Sequence, residues 1–162
     1  MNQYNRTLNF PVVTAADGSA ITTKTAAYTA GDCVGGQLKC HFGTDSGGLI
    51  HAVHLVDAGV QTEPVTLFFY HTAASTIADD AAYAPSDADA LKEIGRVSIV
   101  AGDYVSETAY SIAHMRGEDV NINIPGNQLG TQGTIYLYIR CVAAADWVGA
   151  TDLTITLDIW VD

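Results

Sequence analysis

From Thr151 to Asp162 the chain alternates without a break. Leu153, Ile155, Leu157, Ile159 and Val161 fall on one parity, and Thr154, Thr156, Asp158 and Trp160 on the other. Residues two apart share a face of a strand, so the pattern fits a half-buried β-strand and no helix. Each inward aliphatic contributes on the order of 1.5–3 kcal/mol when buried. With five of them the strand is hard to remove, and Leu157→Asp is expected to abolish soluble folding.

The same period recurs along the chain. Between Thr134 and Val142, Ile135, Leu137, Ile139 and Cys141 share one face and Tyr136, Tyr138 and Arg140 the other. Val120, Ile122 and Ile124 alternate, as do Val97 and Ile99, and Val65 to His71 is rich in β-branched and aromatic residues. Tyr104 to Met115 reads as one long strand or two short ones. Leu49 to Asp57 has apolar positions on both faces, as expected of a strand covered on both sides. Before it a strand runs through Leu38 to Phe42, where Gly35-Gly36 announces a bulge or a close backbone approach. Asp17-Gly18 is a hairpin signal between Val12-Val13 and Ile21 to Thr23. Roughly eight or nine short strands separated by turns predict an all-β chain, an antiparallel β-sandwich. A jelly-roll topology is the first expectation and an immunoglobulin-like Greek key the second.

One short helix interrupts this pattern, in the long loop after Val65 to His71, at about residues 86–94. Ser86 is a good N-cap, and Asp89 three residues on completes a capping box. Asp87 and Asp89 face the positive end of the helix dipole. Leu91 and Ile94 form its apolar stripe, and Gly95 supplies a left-handed stop.

A chain of 162 residues reads as one domain, 13–162, preceded by an arm, 1–12, that lacks periodicity. The arm holds Tyr4, Arg6, Phe10 and Pro11, aromatic anchors suited to ordering on a partner. Eighteen acidic against seven basic residues give a net charge of −11. That charge, without a basic cluster, disfavours nucleic acid and anionic lipid as partners. No apolar run reaches the length of about 18 residues needed to cross a bilayer, and MNQYNRTLNF carries no leader pattern, so no membrane or secretory route is expected. Cys33, Cys40 and Cys141 cannot all pair within one chain; Cys33 and Cys40, seven apart, point to opposite faces of a strand. They read as small buried thiols in a reducing compartment.

Motifs for chemistry are weak. Asp45-Ser46-Gly47-Gly48 resembles a serine-protease nucleophile loop, but His41 alone precedes it among the histidines, and a triad has no room. His41, His51, His54 and His71 invite a metal. His51 and His54, three apart, should face opposite ways, and His51 with His71 across paired strands would make only two ligands. Asp79, Asp80, Asp87, Asp89 and Glu93 lack calcium-loop spacing. No catalytic residue, metal or cofactor is assigned, and the chain is not expected to be an enzyme. A hydrolase on a β scaffold would need coupled carboxylates in a deep polar pocket.

Two stretches carry a resemblance. TAAYTAGDCVGGQL at Thr25 to Leu38 and IADDAAYAPSDADALKEIGRVSI at Ile77 to Ile99, followed by the strand Thr151-Asp152-Leu153-Thr154-Ile155, resemble a group of small tailed-phage proteins. The likeness covers about half of the chain, in order, and lies in turn and cap chemistry. It implies a jelly-roll capsid decoration, or cement, protein, made in the host bacterial cytoplasm and resident on the outer capsid surface of the virion. The implied partners are the major capsid protein and further copies of the chain, as a homodimer or homotrimer; the arm residues Tyr4, Arg6, Phe10 and Pro11 are the candidate shell contact. The rival is a carbohydrate-binding sandwich of a tail or fibre, with Tyr136, Tyr138, Trp147 and Trp160 as a stacking surface.

Overall fold

A computed structural model of the chain describes residues 7–10, 14–15, 27–42, 47–126, 133–147 and 152–161. Two antiparallel sheets pack face to face, so the all-β sandwich read from the alternation is what the chain forms. The first sheet runs β1 (Thr7–Phe10), β11 (Leu153–Val161), β4 (Gly48–Asp57), β8 (Ser111–Arg116), β7 (Tyr104–Ser106), and β9 (Ile122–Ile124) pairs with the start of β4. The second runs β2 (Thr14–Ala15), β3 (Cys33–His41), β10 (Thr134–Cys141), β5 (Val65–Tyr70), β6 (Glu93–Ile99). Strands near in sequence are thus mostly divided between sheets, and the first and last described strands lie side by side.

The core follows the parities read from the sequence. Leu153, Ile155, Leu157 and Ile159 from β11 meet Ile135, Leu137, Ile139 and Cys141 from β10, all buried in one cluster between the sheets. Val97 and Ile99, and Val120, Ile122 and Ile124, join them. The Tyr104–Met115 segment resolves into two strands, β7 and β8. Gly35-Gly36 lies at a bulge, as expected. Leu137 pairs with Leu38 but Ile139 with Val34, and both glycines take positive φ (71° and 67°). Cys33 and Cys40 fall in different clusters, on opposite faces of β3; all three cysteines are buried and unbridged.

Five expectations need correction. The helix α1 spans Asp87–Ala90 only, because β6 already begins at Glu93. Its capping box is present, with Ser86 and Asp89 bonded reciprocally. The apolar stripe is not: Leu91 is 85 % exposed, and Ile94 is a strand residue packed on the main core. Gly95 is no helix stop either. It lies within β6, where a Cβ would stand 2.9 Å from Cγ1 of Ile122; the small residue lets β9 of the first sheet close against β6 of the second.

The expected arm 1–12 contributes a strand, since β1 pairs antiparallel with β11 from Thr7↔Trp160 to Phe10↔Leu157. An uncovered β11 would present a row of unpaired backbone groups, and β1 satisfies them. Phe10 therefore belongs to the first sheet by its backbone, while Tyr4, Arg6 and Pro11 lie outside the described residues. So do Asp17-Gly18 and Ile21 to Thr23.

Finally, β4 does not keep one parity. Asp158 pairs with Ala52 but Ile159 with Ile50, so one step on β11 spans two on β4. This bulge leaves Ile50, Val53 and Leu55 in the core and turns both His51 and His54 to the outer face. Their spacing of three therefore does not place them on opposite sides.

Candidate functional site

The outer face of the second sheet is occupied by its own chain. Cys33, Phe68, Tyr70, Ala74 and Tyr138 form a second buried cluster, with Ile77, Tyr83 and Tyr136 packed on it. The cover is the segment 71–86 that follows β5. Asp80 N–H bonds Cys33 O, Cys33 N–H bonds Ala81 O, and Tyr83 N–H bonds Gly31 O, so residues 80–83 run alongside 31–33. Tyr138 Oη donates to Ser75 O (2.9 Å) and accepts from Gln37 Nε2 (2.7 Å), and the hydroxyls of Tyr70 and Tyr83 bond each other. Asp89 fastens the end of the cover. It accepts from Ser75 N–H (3.0 Å), Ser86 Oγ (2.7 Å) and Lys92 Nζ (2.9 Å), and the Lys92, Ser75 and Ser86 bonds hold its carboxyl well below the usual carboxylate range. The long polar loop is thus a packed layer.

This layer disposes of the four-ring stacking surface. Tyr138 is buried, its hydroxyl spent on the cover. Trp147 is buried too: its Nε1 donates to Asp57 Oδ1 (3.1 Å), and its ring meets Tyr28 at 6.2 Å. Tyr136 packs on the outer cluster of the second sheet, while Trp160 is exposed on the first. With two of the four rings buried and the other two on different sheets, they offer no common face to a sugar.

The loops at one end of the sandwich make a different surface. The β4–β5, β6–β7, β7–β8 and β10–β11 connections all emerge there, because Val65 pairs with both Ile99 and Cys141, and Asp57 with both Ser111 and Leu153. Val60, Val100, Tyr110 and Val142 stand exposed in these loops, and Val105 (60 % exposed) lies beside them on the edge strand β7. Of the other large apolar side chains exposed among the described residues, Leu91 and Trp160 lie elsewhere. The β4–β5 loop is also strained. Val60 and Thr62 take φ of 54° and 53°, a region that β-branched residues rarely enter. Asp57 holds the loop there: buried beneath it, its Oδ2 accepts from Thr62 N–H (2.8 Å) while Oδ1 takes the Trp147 indole. Tyr104 Oη donates to Glu63 O (3.0 Å), and Val142 N–H bonds Pro64 O (3.0 Å), tying the β10–β11 loop to it. Strain kept by such anchoring is typical of binding loops.

The histidines are distributed otherwise than the sequence suggested. His51 and His71 do not face each other. β4 and β5 belong to different sheets, and His71 Nδ1 bonds Lys92 O at 2.8 Å. His41 bonds Thr134 Oγ1 at 3.0 Å. On the outer face of the first sheet His54 meets His114, its direct partner across β4–β8, Nδ1 to Nδ1 at 2.5 Å. His54 Nε2 lies 3.2 Å from Asp158 Oδ2, and His51 stacks on Trp160 with ring centres 4.4 Å apart. His114 and Asp158 escaped the sequence reading because strand pairing across 60 and 104 residues brings them to His54; the alternation of β11 marks Asp158 as outward and nothing more.

Outside the His54–His114–Asp158 group, the candidate reactive side chains are buried or already engaged. Burial pushes the thiols of Cys33, Cys40 and Cys141 up to about 12, which keeps them as unreactive thiols. Asp79 of the acidic stretch is engaged by Tyr28 Oη (2.8 Å) and Gly35 N–H (2.7 Å), and Glu93 by Arg96 (2.8 Å). Among the described residues no group of three or more His, Cys, Asp or Glu side chains could hold a metal ion. No family model, curated protein or solved structure matches the chain.

Proposed function

We propose that the chain is a structural protein of a phage virion that decorates the outer surface of the capsid and stabilises it by bridging capsomers, without turning over a substrate. The observation that carries this reading is the set of exposed apolar side chains in the loops at one end of the sandwich, Val60, Val100, Tyr110 and Val142, of which Val60 sits on a strained and anchored loop. Exposed apolar groups gathered in one place mark an adhesion surface. The interleaved strand order supports a jelly roll, the fold that the sequence resemblance implies. A net charge of −11 suits the outside of a particle whose interior is packed with phosphate. Copies of the chain associate, and each buries its apolar end against the shell, so that many modest contacts add by multivalency.

The test is co-sedimentation with the empty heads of the phage that encodes the chain. Val60→Asp and Val142→Asp, at exposed positions, should leave the melting temperature within a few degrees and abolish attachment. Attachment of the double variant at wild-type occupancy, or no attachment of the wild type, would overturn the reading.

A further inference from the structure

The His54–His114 pair is not used by an adhesive end, and its geometry asks for an explanation. Its nitrogens stand 2.5 Å apart, closer than the roughly 2.7–3.2 Å of ordinary N–H hydrogen bonds, so at most one proton fits between them. Asp158 Oδ2 faces the other nitrogen of His54 at 3.2 Å. A carboxylate there accepts a hydrogen bond from Nε2–H and so leaves Nδ1 as a lone pair facing His114. This is the arrangement in which a carboxylate fixes the tautomer and raises the basicity of a metal-bound histidine. The carboxylate also has charge to spare, for its Oδ1 is buried without a hydrogen-bond partner.

We propose that His54 and His114 bind one divalent transition-metal ion between their Nδ1 atoms, with Asp158 orienting His54 from behind and solvent completing the coordination. Imidazole nitrogens suit Zn²⁺, Ni²⁺ or Cu²⁺, whereas Mg²⁺ and Ca²⁺ require oxygen ligands. Two nitrogens on a tetrahedral zinc stand about 3.3 Å apart, so the rings must part by roughly 0.8 Å from the 2.5 Å seen here. His114 is exposed and can make that movement. The site lies on the first sheet and is independent of the capsid reading; either can fail alone.

Zinc titration of the full chain by calorimetry at neutral pH, with magnesium as control, tests this. One equivalent of Zn²⁺ should bind and Mg²⁺ should not. His114→Ala, at an exposed position that leaves the fold intact, should weaken zinc at least 10-fold, Asp158→Asn by about 10–100-fold, and His71→Ala not at all. Imidazole ¹⁵N shifts should move for His54 and His114 and stay fixed for His41 and His71. Equal zinc affinity in wild type and His114→Ala, or no binding by the wild type at about millimolar zinc, would overturn the proposal.

Discussion

Gly95 decides whether the seam between β6 and β9 is a packing constraint or a conformational one. A Cβ at this position would meet three atoms of Ile122, Cγ1 at 2.9 Å, Cγ2 at 3.1 Å and Cδ1 at 3.3 Å. Ile122 is 5 % exposed and held by the β4–β9 pairing, so it has little room to yield. Overpacking of this kind costs about 1–3 kcal/mol. Against it, alanine in a strand gains roughly 0.5–1 kcal/mol over glycine. The net for Gly95→Ala is a loss of up to about 2.5 kcal/mol, or up to roughly 10 °C in melting temperature for a chain of this size. Ile122→Ala removes all three clashing atoms at its own cost of about 2–5 kcal/mol. In that background Gly95→Ala should reverse sign and stabilise by about 0.5–1 kcal/mol. Urea unfolding followed through the buried Trp147 measures all four corners of the cycle, provided the slope with denaturant is constant. Equal losses in both backgrounds would mean that glycine is required for its backbone, as the helix-stop expectation held, and the packing argument would be refuted.

Three further outcomes are expected. Leu157→Asp places a charge in the core between the sheets and should yield no soluble folded protein; an unchanged melting temperature in a recovered variant would contradict the core assignment. Asp89→Asn should lower stability at neutral pH and loosen the 71–86 cover, read by hydrogen exchange of Ser75. Because the folded carboxyl is depressed, its contribution is complete above the unfolded value of about 4 and is lost as pH falls through the lower folded value, so the two proteins should converge in strong acid. Deleting residues 1–11 removes β1 and uncovers β11, so the truncated chain should melt lower and self-associate on gel filtration; a monodisperse species of wild-type stability would show that β1 is dispensable.

What was legible in the sequence was whatever a single strand determines by itself. The parities of β10 and β11, the capping box of Ser86 and Asp89, and the glycine bulge in β3 all rest on local rules, and each holds. What was not legible depends on the partner strand. The bulge in β4 has no glycine to announce it; it appears only because β11 steps from Ala52 to Ile50, and it alone puts His51 and His54 on one face. Gly95 follows a helical segment, which made a stop the natural local reading, yet its reason is Ile122 from the other sheet. Tyr138 alternates as an outward residue and is outward, but a neighbouring segment then covers it.

The same separation explains why adhesion, if it is the task, falls to one end of the molecule. A sandwich has two outer faces, its edges and two ends on which to place a contact. Here the segment 71–86 covers the middle of the second face, and β1 lies along β11 of the first. The first face carries the His54–His114 pair, Asp158 beside it and a half-exposed Trp160 stacked on His51. Loops at an end are free of ladder bonds, so apolar side chains there can be presented without breaking the sheet. They would collapse onto the core unless something held them out. Asp57 does this from inside, one oxygen on the indole of a core tryptophan and the other on the backbone of the strained loop, so that the position of Val60 is coupled to the rigidity of the slab beneath it.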